Sequence, residues 1–89
     1  MREILIGEAD LTEESGRALT CQYRILIRTL PDPMDWESYG LRVDLVQTGE
    51  RIEILDITAS SRRIEALAQL LIRGGVTPCT VREVIEDWL

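Results

Sequence analysis

Histidine, lysine, asparagine and phenylalanine are missing from this sequence, and cysteine, tryptophan and tyrosine occur only twice each. Without histidine the commonest general base and metal ligand is gone, so Ser-His-Asp and Cys-His catalysis, Cys/His zinc sites and haem-histidine ligation drop out together. Without lysine there is neither Schiff-base chemistry nor a phosphate-binding P-loop. Cys21 and Cys79 form no CxxC pair and are too few for a disulfide framework. Long apolar runs are also missing. Ile4-Leu5-Ile6, near the start, is too short for a signal-peptide core or a membrane span, so a cytoplasmic protein with no membrane association is expected.

What remains describes a small folded domain. The chain has 89 residues, 45% hydrophobic and 29% charged, enough for one domain over 1–89 and too apolar for a disordered tail. Sixteen acidic residues oppose ten basic ones, all arginine, and the net charge of −6 repels phosphate backbones. Nucleic acid is therefore not an expected partner.

The first half, 1–58, has the period of strands and reads as a sheet. Residues 2–9 form a short apolar strand, and Leu11 to Gly16 a polar turn in which Gly16 supplies a positive φ. From Arg17 to Leu30 the chain alternates, with Leu19, Cys21, Tyr23, Ile25 and Ile27 on one face and Thr20, Gln22, Arg24, Leu26 and Arg28 on the other. Pro31 and Pro33 stop this strand. Alternation resumes through Tyr39, Leu41, Val43 and Leu45, and Gln47-Thr48-Gly49-Glu50 is a hairpin turn. In the last strand, Arg51 to Thr58, the apolar positions jump from Ile52 and Ile54 to Leu55 and Ile57, a phase switch that predicts a bulge or an end covered on both sides.

The second half changes period. Ile64, Leu67, Ala68, Leu71 and Ile72 form a helical stripe, which predicts a helix over 60–74 capped by Ser60 or Ser61 and stopped by Gly74-Gly75. Thr77-Pro78 opens a second helix over 78–89, whose stripe is Val81, Val84, Ile85, Trp88 and Leu89. The expected fold class is α+β in the order ββββαα, a four-stranded antiparallel sheet with two C-terminal helices on its apolar face.

Gly7-Glu8 after its apolar run, Tyr39-Gly40-Leu41-Arg42-Val43, Val76-Thr77-Pro78 and the ending Glu83-Val84-Ile85-Glu86-Asp87-Trp88-Leu89 resemble a family of short bacterial proteins of unknown function. The resemblance spans most of the chain. It implies a domain that stands alone, and no activity, cofactor or catalytic residue.

Chemistry is sparse. Asp32, Asp35 and Glu37 share a loop with Trp36 but lack the spacing of a calcium loop, and read as solvated acids. Cys21, within an apolar alternation, reads as a buried thiol; Cys79, in the first turn of the second helix, is the one candidate for a reactive thiol, with no neighbouring base. No metal site, cofactor or catalytic set emerges, so a non-enzymatic protein is expected. The sheet's second face carries Arg24, Arg28 and Arg42 beside Leu5 and Leu26, with Trp36 nearby. Its arginines have Asp44, Glu3 and Glu53 as cross-strand partners, whereas a nucleic-acid platform would need aromatics there, and Tyr23 and Tyr39 fall on the other side. Leu5, Leu26, Arg24, Arg28, Arg42 and Trp36 are therefore the candidate residues of a protein interface or a homodimer contact. The alternative is a small-molecule pocket between sheet and helices.

Overall fold

The computed structural model describes residues 1–31 and 36–89, so the acids Asp32 and Asp35 lie outside the described residues. Four strands, β1 (Arg2–Thr12), β2 (Ala18–Thr29), β3 (Glu37–Leu45) and β4 (Glu50–Thr58), precede two helices, α1 (Ser61–Gly74) and α2 (Val81–Trp88). The strands form one antiparallel sheet in the order β1-β2-β3-β4, with β1 and β4 at its edges. The expected ββββαα architecture is the one observed.

Each turn follows from its residues. Gly16 closes the first hairpin at φ 87°, its amide donating to the carbonyl of Glu13, and Gly49 plays the same part at φ 77° between β3 and β4. α1 starts at Ser60, whose hydroxyl accepts from the amide of Arg63 at 3.2 Å, and stops at Gly75, left-handed at φ 57°. α2 begins at Val81, later than Thr77-Pro78 predicts. The hydroxyl of Thr77 is engaged with Cys79 and Thr80 side chains instead of capping amides, while its carbonyl accepts from both Thr80 and Val81. Residues 77–80 are thus a tight lead-in turn.

The core lies between the sheet and the helices. Cys21, Tyr23, Ile25, Leu41 and Val43 from the central strands meet Ile64, Leu67, Ala68 and Leu71 of α1 and Val81 and Ile85 of α2. α1 contacts all four strands, and Gly7 admits it closely: a Cβ there would stand 2.8 Å from a side-chain carbon of Ile72. The hydroxyl of Tyr23, a fully buried side chain, donates to the carbonyl of Val76 at 2.8 Å and pins the link between the helices. Burial pushes the titration of both Tyr23 and the Cys21 thiol upward, so Cys21 is an inert core residue. Trp88 packs against this core and stacks under the guanidinium of Arg63, 4.5 Å from its ring centre. Leu89, expected in the stripe, instead follows the last helical turn and is exposed.

The phase switch in β4 is a bulge. Register runs Leu41↔Ile54 and then Tyr39↔Thr58, so three residues of β4 stand opposite Gly40 alone. Asp56, within the bulge, takes φ 54°, a left-handed conformation that aspartate tolerates better than most residues. A Cβ at Gly40 would lie 2.3 Å from the carbonyl oxygen of Ile54 and 2.9 Å from the Cα of Leu55. The backbone of β4 therefore crosses the space where a side chain of residue 40 would be, on the sheet face opposite the helices.

Candidate functional site

Two surfaces gather charged and exposed apolar groups among the described residues. On the open face, Asp44 is the hub. Its carboxylate accepts from Arg51 at 2.7 Å, from Arg42 at 2.9 Å and from Arg24 at 3.2 Å, while Arg42 also reaches Glu3 of β1 at 2.7 Å. The register makes this unavoidable: Arg24 pairs with Arg42, Gln22 with Asp44, and Asp44 with Arg51, so the carboxylate stands among three guanidiniums. Partial burial pushes Asp44 upward, but hydrogen bonds and charge from Arg51 and Arg42 outweigh it and hold the carboxyl below its ordinary range. A shallow hollow of about 220 Å³ lies over this network. Farther along, Arg28 pairs with Asp56 across the intervening β3, and Arg2 pairs with Glu37.

The six candidate interface residues do not form one free patch. Leu5 and Trp36 are about half exposed, at 49% and 50%. Arg24, Arg28 and Arg42 are committed to Asp44, Asp56 and Glu3. Leu26 corrects the expectation of an exposed leucine: it is 1% exposed. Its cross-strand partner is Gly40, over which the β4 backbone crosses, so this corner of the open face is covered by the protein's own edge strand.

The second surface lies between sheet and helix, where the alternative reading puts a pocket, but its lining residues have no motif in the sequence. Between β4 and α2 runs a largely apolar cleft of about 190 Å³, walled by Ile54, Leu55 and Ile57 on the strand and by Ile85 and Leu89 on the helix side, with Arg82 and Glu86 at its rim. The bulge creates it, since a regular strand would turn Leu55 and Ile57 to the face opposite Ile54, away from α2. Leu55 and Leu89 are both exposed. The Ile54–Leu55 phase switch is the signal in the sequence; the apposition of α2 has no local signal.

Cys79 is exposed, with its sulfur 3.2 Å from the hydroxyl of Thr77. Among the described residues, no three Cys, Asp or Glu side chains converge as metal ligands, and no helix is long and apolar enough to cross a membrane.

Comparison with known proteins adds a family and no function. No curated protein and no solved structure matches the chain. A family model does, over residues 2–89, which is nearly the whole sequence, and the chain therefore belongs to DUF6514, a family of unknown function.

Proposed function

We propose that this domain is a non-enzymatic, cytoplasmic protein-interaction module, acting on a protein partner or on a second copy of itself. The observation that carries the reading is that several exposed apolar side chains lie at the sheet's two edges. Ile4 and Leu5 sit on edge strand β1, and Leu55 and Leu89 flank the cleft beside edge strand β4. Apolar side chains beside unpaired strand edges are what a stable monomer avoids and what an interface uses. Affinity capture from the native cell followed by light scattering tests this. The expected result is one stoichiometric partner, or a homodimer, lost on Leu55→Arg with folding intact; a monomer that retains nothing overturns it.

The second reading is a small-molecule binder, favoured by the cleft's position between sheet and helix. It requires a metabolite that raises the melting temperature of wild type and fails to do so for Leu55→Arg.

A further inference from the structure

We propose that the outer edge of β4 and the adjoining α2 receive an extended peptide as a fifth strand, one that alternates apolar with basic side chains. This rests on the interaction reading above and names its partner chemistry.

The backbone supplies the first half. Just beyond the Cys21↔Leu45 pair, the amide of Val46 donates to the carbonyl of Thr20, which sets the phase of the β2–β3 ladder so that Gln22↔Asp44 is a hydrogen-bonded pair. Hydrogen-bonded pairs recur every second residue, which turns the even-numbered residues of β3 toward β2 and the odd-numbered ones toward β4. Leu41, Val43 and Leu45 therefore bond Ile54, Ile52 and Glu50, and the backbone groups of Arg51 and Glu53 face outward. Among the described residues, no backbone hydrogen bond from another segment reaches that edge. An extended chain satisfies such a row of donors and acceptors; a helix or a small molecule does not. The bulge at Leu55–Ile57 ends the row and fixes the length of the segment that fits.

The side chains supply the second half. Alternate residues of an added strand point toward the helix side, where the cleft of Ile54, Ile57, Ile85 and Leu89 has room for one apolar group. The residues between them point to the open side, beside Glu53 and Arg51. Arg51 is already held by Asp44. Glu50, Glu53, Glu83, Glu86 and Asp87 form no ion pair among the described residues, and α2 has no basic residue in its last turn. Glu50 and Glu53 on β4 and Glu86 at the cleft outnumber Arg82, the one cation on α2, so the field along this edge is negative and selects a basic segment. Acids at a helix C-terminus oppose its dipole, and an incoming cation relieves that conflict. β1, the other edge, has its own bulge between Leu5 and Gly7 midway along the strand.

The probe is a blocked seven-residue peptide alternating valine and arginine, compared with its valine–glutamate counterpart by NMR titration and hydrogen exchange on the full chain. The expected result is exchange protection at the amides of Arg51 and Glu53, shifts at Ile85 and Leu89, and roughly tenfold tighter binding of the basic peptide, narrowing with salt. Methylating the peptide's alternate backbone nitrogens should abolish binding, and E86K with D87K should remove the preference for arginine. Equal binding of the acidic peptide, shifts confined to β1 or the open face, or no binding overturns the inference. If the peptide fails while Leu55→Arg still dissolves the native complex, strand addition falls and the interaction reading stands. If no native complex exists, the interaction reading itself falls.

Discussion

The two faces of this sheet bury side chains by different means. Beneath the helices, burial follows from alternation: every second residue of β2 from Leu19 to Ile27 is buried, and α1 and α2 cover them. On the open face polar side chains satisfy one another laterally around Asp44, yet Leu26 in their midst is as buried as the core. No helix covers it. The edge strand bends over the gap left by Gly40, and the Arg28–Asp56 pair ties that bend down across β3. A two-layer domain can thus close a second, smaller apolar site with its own sheet.

The largest expected effect contrasts two leucines of the open face. Leu26→Arg places a charge in a site closed to water and should cost more than about 3 kcal/mol. Leu5→Arg on the neighbouring strand should stay within about 0.5 kcal/mol. Urea unfolding of both variants checks the comparison, and equal costs would mean that β4 does not close over Leu26.

Gly40→Ala comes next, because the new carbon would collide with backbone at Ile54 and Leu55 and not with a side chain free to rotate. A loss of about 1–3 kcal/mol is expected, with amide exchange in β4 accelerated ahead of β1. Uniform exchange along both edges would contradict the crossing.

Asp44→Asn should cost about 1 kcal/mol, since its arginine partners are partly solvated. The effect has a pH signature. A carboxyl held below its ordinary value stabilises the fold fully above that ordinary value, near pH 4, and the stabilisation is lost as pH falls through the lowered folded value. Melting temperatures of wild type and Asp44→Asn should therefore converge on acidification, and parallel curves would remove Asp44 from the hub.

The smallest effect is a gain. Glu86→Lys with Asp87→Lys replaces acids that oppose the α2 dipole and should raise stability by about 0.3–1 kcal/mol per charge, read as a higher melting temperature at low salt. The same variant tests the peptide preference, so the two readouts separate helix energetics from recognition.

Much of this architecture was legible in the residues because it rests on local physics. Period-two alternation from Leu19 to Ile27, the 3.6-residue stripe from Ile64 to Ile72, Ser60 as a cap and Gly75 as a left-handed stop each act within a few positions. The shift from Ile54 to Leu55 even marked the bulge. Its consequence was not legible: whether a bulged strand bends toward or away from Leu26 depends on Gly40, fourteen residues away in sequence and next to it only through the β2–β3 register. The lead-in at Thr77 departs from its motif for a similar reason, since the Thr77 hydroxyl has competing partners that pattern alone does not rank.

Side-chain period and residue type set the elements, their order, the face that the helices cover and the lack of histidine and lysine chemistry. Folding in three dimensions buries Leu26, pairs the open-face arginines and encloses an apolar cleft between β4 and α2. Those three depend on which distant residues meet, and such meetings are settled by register and packing, which no short window of sequence contains.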